Sequence, residues 1–255
     1  MKQIESRNNP IIKKALKVLN GSNSEGLIMV EGHKLLGEAL KSGAKPEMLF
    51  VTSEEALRDK TDLEDRCYII SRGLLRELST VQTPNEILAY LTPAPSPSLD
   101  ELVKKAGMLV ILDRLQDPGN IGTIMRTSEA MGAAGIILLE GSCNANNHKV
   151  IRAAMGSSFR LPIVSNVNTE NLFTILNKNG YMTICADMEG TKLPGFKFAE
   201  KSALFMGQEG RGLSDYIMNN CKQTVAIPMY GQVESLNVAT STAMCLYEWA
   251  RNKSV

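Results

Sequence analysis

Histidine is nearly absent from this chain: His33 and His148 are the two copies in 255 residues, too few and too far apart to suggest a metal site. Cysteine is sparse and unpaired. Cys67, Cys143, Cys185, Cys221 and Cys245 form no C-x-x-C motif, and most lie in or beside apolar runs, so buried reduced thiols are expected rather than disulfides or metal ligands. No apolar run approaches the length of a bilayer span, and Met1-Lys2-Gln3-Ile4-Glu5-Ser6-Arg7 has none of the apolar core of an export signal. A soluble, cytoplasmic protein without membrane association is therefore expected. Charge of one sign is also missing. A net +1 gives no general attraction to a polyanion, so any nucleic-acid surface has to come from local clusters of Lys and Arg. There is no internal repeat, no G-x-G-x-x-G dinucleotide fingerprint and no P-loop.

What is present is the pattern of an α/β protein. With 44% apolar and 22% charged residues, the chain can bury a real core as one large domain or two modest ones. Thr92-Pro93-Ala94-Pro95-Ser96-Pro97-Ser98 reads as a semi-rigid linker, because alternate prolines favour extended backbone and remove donors. The other reading is a surface loop within one domain. The linker reading divides the chain into residues 1–91, 92–99 and 100–255.

The first part alternates helix and strand signals: helices over 10–19, 32–42 and 72–78, strands over 26–30, 48–51, 67–70 and 86–91. In the last part, the apolar runs at 108–112 and 135–139 predict buried parallel strands joined by a crossover helix over 120–131. Helices over 148–155 and 170–179 follow, with strands near 162–164, 182–186, 203–206 and 224–227. A final helix over 237–251 closes a doubly wound, mainly parallel sheet with helices on both faces.

Three loop segments stand at predicted strand ends or helix starts, where ligands of open α/β sheets bind. Gly207-Gln208-Glu209-Gly210-Arg211-Gly212 follows the strand ending at Met206, and its glycines permit positive φ and close backbone approach to a ligand. A plain tight connection would read the same way. Ile227-Pro228-Met229 ends the next strand, its Ile and Met serving either as core or as an apolar seat for an adenine ring. Glu234-Ser235-Leu236-Asn237 reads as a helix start with Ser235 or Asn237 as N-cap, and Val238, Ala239, Thr242, Cys245, Leu246 and Trp249 as the buried face behind it. A fourth segment, Asp117-Pro118-Gly119-Asn120-Ile121-Gly122-Thr123-Ile124-Met125-Arg126-Thr127, starts a helix at the same sheet edge. Arg126 is either an exposed helix residue or a guanidinium fork that clamps a phosphate or hydroxyl.

Taken together, these segments resemble the SpoU/TrmH-type RNA 2′-O-ribose methyltransferases of the SPOUT superfamily, over residues 108–251. The part containing Ile28-Met29-Val30-Glu31-Gly32 resembles, more loosely, that family's substrate-binding domain, of ribosomal-protein-like α/β fold. The resemblance implies a C-terminal trefoil knot, an architecture rare among proteins. It also implies an S-adenosylmethionine site, contacted by Gly207, Ile227 and Leu236 and bordered by Met229 and Asn237. Asn120, Arg126, Glu209, Ser235 and Asn237 match the positions associated with catalysis and substrate placement. A homodimer is implied as well.

The implied chemistry is methyl transfer from a sulfonium to a ribose 2′-hydroxyl, which requires alignment and removal of a weakly acidic proton. An arginine is too basic to take that proton readily, so positioning the hydroxyl and stabilising developing negative charge is the role expected of Arg126. Lys149, Arg152 and Arg160 form one basic cluster and Lys13, Lys14 and Lys17 another; each is either a solvated helix face or a phosphate-binding surface. The leading acceptor is ribosomal RNA, of the 23S guanosine type. Transfer RNA is the nearest rival, and a non-catalytic RNA-binding or ribosome-assembly protein is the rival of another class. A nucleotide-dependent oxidoreductase is disfavoured by the missing fingerprint.

Overall fold

The computed structural model of the chain describes residues 1–20, 25–57, 61–208 and 210–252. Two compact units emerge, one formed by Met1–Pro95 with Asn146–His148 and the other by Ser96–Ala145 with Lys149–Val255. Among the described residues, no helix is long and apolar enough to cross a membrane.

The first unit contains β1 (Lys2–Ile4), α1 (Pro10–Leu19), β2 (Ile28–Glu31), α2 (His33–Lys41), β3 (Lys45–Val51), β4 (Cys67–Ile70), α3 (Arg72–Leu78) and β5 (Ile87–Thr92). Its sheet runs β1-β4-β3-β5-β2, parallel from β1 to β3 and antiparallel where β5 joins β3 and β2. Local chemistry sets the helix starts: Asn9 accepts the Ile11 N–H ahead of Pro10, and Ser71 accepts the Leu74 N–H. Ile12 and Ala15 of α1 and Leu74, Leu75 and Leu78 of α3 close over Met29, Met48, Phe50, Leu88 and Tyr90. Phe50 meets Tyr90 edge-on at 6.0 Å between ring centres.

The second unit contains α4 (Leu99–Leu102), β6 (Gly107–Leu112), α5 (Pro118–Ala130), β7 (Gly135–Leu139), α6 (His148–Ala154), β8 (Ile163–Val167), α7 (Thr169–Lys178), β9 (Met182–Lys192), β10 (Lys201–Met206), α8 (Asp215–Asn220), β11 (Gln223–Ala226) and α9 (Val238–Arg251). All neighbouring strands are parallel, in the order β11-β9-β10-β6-β7-β8. The unbroken apolar runs have the reason expected for a parallel sheet, since β6 and β7 are buried along their whole length. Alternate residues of β6 point to opposite faces: Met108, Val110 and Leu112 pack beneath α5, α6 and α9, whereas Leu109 and Ile111 pack beneath α4, α7 and α8. On the second face Phe173 stacks on Phe205 with ring centres 5.0 Å apart. Each such large side chain contributes about 1.5–3 kcal/mol by leaving water.

Several elements depart from the sequence-based expectation: β1 and α4 are additional to it, and β3 begins at Lys45 rather than at residue 48. Helix α5 begins at Pro118, capped by Asp117, so Asn120 is the third helical residue and not the first. Strand β9, expected to end at Ala186, continues to Lys192. A register shift between Thr224 and Val225 carries its pairing from Cys185 to Thr191, and Gly190 lies so close to Thr224 that an added Cβ would stand 2.6 Å from its carbonyl carbon. Helix α8 had no sequence signal strong enough to stand out. The expected buried face of α9 is present, with Glu248 joining it.

Candidate active site

Because β6, β10 and β11 are parallel, the segments that follow them (113–117, 207–214 and 227–237) leave the same edge of the sheet. The middle segment folds back on itself. Gln208 and Gly212 exchange backbone hydrogen bonds of 3.0 and 2.8 Å, while Gly210 and Gly212 take φ of 76° and 66°. Gly207 lies flat beneath this turn: a Cβ there would sit 2.3 Å from the Gly212 carbonyl carbon and 2.4 Å from the Leu213 nitrogen. Glycine is therefore required at position 207 by space. Glu209 lies outside the described residues.

Beyond β11, Ile227, Pro228 and Met229 are half-buried, as is Leu236, whereas Ser235 is exposed and makes no hydrogen bond with a described residue. Asn237 settles which residue caps α9. Its side-chain oxygen accepts the Ala239 N–H at 2.9 Å and the Thr240 N–H at 3.3 Å, so Asn237 is the N-cap and Ser235 is not. Its amide nitrogen meanwhile donates to the Asn120 side-chain oxygen at 3.0 Å. Asn120 is placed for this by Asp117, whose carboxylate accepts the Asn120 N–H at 2.7 Å in the first turn of α5. The helix starts of α5 and α9 are thus joined directly through two of the residues that the sequence marked.

Arg126 is exposed on α5 and makes no ion pair or hydrogen bond with a described residue. It stands about 9 Å further along the helix axis than Asn120 and roughly 120° around it. Between them Gly122 faces α6, where a Cβ would come within 2.5 Å of the Ala153 Cβ and 2.8 Å of the Val150 carbonyl oxygen. Asn120 and Arg126 therefore flank the exposed stripe of α5, Asn120 on the side of α9 and Arg126 on the side of α6.

The basic clusters differ in exposure and surroundings. Lys149 and Arg152 are exposed on α6. Arg160 is engaged by Glu129 through both its Nε and a terminal nitrogen, the latter at 2.9 Å, and this pairing holds the Glu129 carboxyl below its ordinary value. In the first unit Lys13 and Lys17 are exposed and Lys14 pairs with Glu25 at 2.7 Å.

Sequence reasoning passed over Asp113, the residue directly after β6. It is buried, its backbone N–H donates to the Met206 carbonyl at 3.0 Å, and its carboxylate accepts from Arg114 and from the Ser214 backbone N–H. An aspartate directly after an apolar strand was the one local signal, and it does not reveal what the carboxylate binds. An apolar cleft of about 550 Å³ also opens along the outer side of α9, lined by Met131, Pro194, Ile227, Pro228, Met244 and Tyr247 among others.

A parallel sheet with a glycine turn, an apolar strand end and two linked helix starts at one edge has counterparts among known proteins. Residues 107–247 match the SpoU rRNA Methylase family, and residues 9–89 match the MRM3-like substrate binding domain. The chain belongs to the SpoU rRNA methylase family. It is 31% identical over 250 residues to the 23S rRNA (guanosine(2553)-2′-O)-methyltransferase RlmP of Bacillus subtilis (strain 168), covering 97% of this chain and 98% of that protein. The AdoMet-bound rRNA methyltransferase of Sinorhizobium meliloti superposes with a TM-score of 0.88 at 29% identity, over 100% of this chain and 98% of that one. The SpoU methyltransferase AviRb of Streptomyces viridochromogenes, solved with AdoMet, gives 0.86 at 26% identity, over 97% and 99%.

Proposed function

We propose that this chain is an S-adenosylmethionine-dependent RNA 2′-O-ribose methyltransferase acting on ribosomal RNA, with a 23S guanosine ribose as the leading acceptor. The observation that carries this reading is the Asn237–Asn120 hydrogen bond, which ties the start of α9, beside the cofactor segments, to the helix that bears Arg126. When bound, S-adenosylmethionine supplies an electrophilic methyl group on a sulfonium. The chain fits it: Gly207 lets the Gly212–Leu213 backbone close directly over the end of β10, which fixes the turn, and Ile227 and Met229 offer half-buried apolar surface beside backbone past the end of the β11 ladder. Gly207, Ile227 and Leu236 would hold the donor, with Met229 and Asn237 at its border.

On the acceptor side, the Arg126 guanidinium donates to the ribose 2′-oxygen, holding it in line and stabilising the negative charge that grows there as its proton passes to water. Asn120, Glu209 and Ser235 complete the set that places the ribose and the guanidinium. Lys149 and Arg152, with Lys13, Lys14 and Lys17 of the N-terminal module, would contact RNA phosphates, giving affinity that falls with salt. Arg160 contributes to the patch of Lys149 and Arg152 only where phosphate competes with Glu129.

Residues 1–91 form an RNA-binding module of ribosomal-protein-like fold, 92–99 a linker and 100–255 the catalytic domain. The C-terminal region is a trefoil knot, supported by the 193–200 connection lying against α9: the Gly195 N–H donates to Glu248 at 2.9 Å and Asn252 donates to the Phe196 carbonyl at 3.2 Å. The protein is a homodimer, supported by the apolar cleft and by exposed Met244 and Tyr247 on α9. It resides in the cytoplasm, where the thiols of Cys67, Cys143, Cys185, Cys221 and Cys245 would stay reduced.

Mapping 2′-O-methyl groups in ribosomal and transfer RNA from a deletion strain tests the acceptor. Loss of one ribosomal 2′-O-methyl group supports the reading, and loss of one in transfer RNA alone moves the substrate there.

A further inference from the structure

Asp113 is a buried carboxylate that the catalytic set leaves unused. Its side chain is 4% exposed and that of Arg114 is 47% exposed. Arg114 adopts φ of 52°, a left-handed conformation uncommon outside glycine, and this turns its guanidinium back onto its own neighbour: Nε lies 3.1 Å from Asp113 Oδ1 and a terminal nitrogen 3.3 Å from Oδ2. The remaining partner is distant in sequence. The Ser214 backbone N–H donates to Oδ2 at 3.0 Å.

Ser214 ends the glycine turn. That turn is anchored at its start, where the Asp113 N–H continues the ladder between β6 and β10, and in its middle by the Gln208–Gly212 exchange. Its end, Leu213 to Ser214, must stay pressed over Gly207, because the Leu213 nitrogen lies where a Cβ of Gly207 would be. Ser214 makes no side-chain cap to α8, so the main chain is what this segment offers.

We infer that Asp113 is a positioning residue for the methyl-donor loop: its carboxylate, oriented by Arg114, clamps the Ser214 N–H and so fixes the backbone that receives the cofactor. This inference rests on the reading of the Gly207 turn as the S-adenosylmethionine site. A buried acceptor lost from such a clamp leaves an amide unsatisfied, and the loop lifts to reach water.

The test is calorimetric titration of the full chain with S-adenosylmethionine and, separately, S-adenosylhomocysteine, alongside RNA affinity by filter retention. Asp113→Ala weakens cofactor binding roughly ten- to a hundredfold, the range for losing a hydrogen bond to a charged group, and leaves RNA affinity unchanged. Ser214→Pro removes the amide donor from the other side. Proline's fixed φ suits the native φ of −68°, so this variant is expected to fold and to show the same loss. The double variant is no weaker than either single one, because both delete one bond. Asp113→Asn keeps one oxygen for the Ser214 N–H but sets its amide nitrogen against the Arg114 guanidinium, so it recovers only part of the loss, and Ser214→Pro decides the matter if Asp113→Ala does not fold. Wild-type affinity in both Asp113→Ala and Ser214→Pro, or losses that multiply in the double variant, would overturn the inference. A wild-type chain that binds neither ligand would instead refute the functional reading beneath it.

Discussion

Asn237 performs two tasks with the two ends of one amide, and they can be separated. Asn237→Asp keeps the oxygen that caps α9 and loses the nitrogen that donates to Asn120. Its melting temperature is expected to stay near wild type while turnover falls at least about tenfold, in line with misplacing a positioned group. Asn237→Ala loses the cap as well and is less stable by about 1 kcal/mol, which a denaturant titration measures. An Asp variant with full turnover would remove Asn120 from the site. Arg126 presents the complementary case. It is solvent-exposed on its helix, so Arg126→Ala is expected to fold normally and bind S-adenosylmethionine normally, yet lose about a hundredfold or more in turnover. Arg126→Lys does not restore it, since an ammonium lacks the planar fork.

At the scale of elements, glycine decides how closely α5 and α6 approach. Gly122→Ala places a methyl group against the backbone of Val150 and Ala154, and is expected to cost about 1–3 kcal/mol and lower the melting temperature, with the Gly207 turn untouched. The contact between α9 and the 193–200 connection has a pH signature. Arg251, and then the Gly195 N–H, hold the Glu248 carboxyl below its ordinary value of 4.5. The contribution is therefore complete above that value and is lost as pH falls through the lowered folded-state value, so Glu248→Gln is expected to flatten the acid limb of a melting-temperature profile below that ordinary value. The parallel sheet was legible because continuous apolar strands such as 108–112 have few other uses, and the loop motifs were legible because glycine and proline punctuate strand ends. The extension of β9 was not, since Asp187, Glu189 and Lys192 read as loop, and its pairing depends on how Gly190 meets Thr224. The Asn120–Asn237 bond spans 117 positions, and local pattern carries no information about such a pair. Asp113 was missed for the same reason: its partner Ser214 is 101 positions away.

For the whole molecule, a net charge of +1 means that RNA affinity has to be local. Replacing Lys149 and Arg152 together by Gln is expected to reduce both RNA affinity and the steepness of its salt dependence, by a slope change of roughly one to two. Cofactor affinity stays constant, and filter binding from low to moderate salt checks both. Methyl transfer to a ribose hydroxyl, with Arg126 proposed to meet the acceptor, can be followed in a single reaction. Its most direct measurement is incubation of unmodified ribosomal RNA with S-adenosylmethionine and either the wild-type chain or Arg126→Ala, followed by nucleotide-resolution mapping of 2′-O-methyl groups. A single new 2′-O-methyl ribose is expected in the large-subunit RNA with wild type, and its near-complete loss with the variant. Methylation on a base, or undiminished ribose methylation by Arg126→Ala, would contradict it.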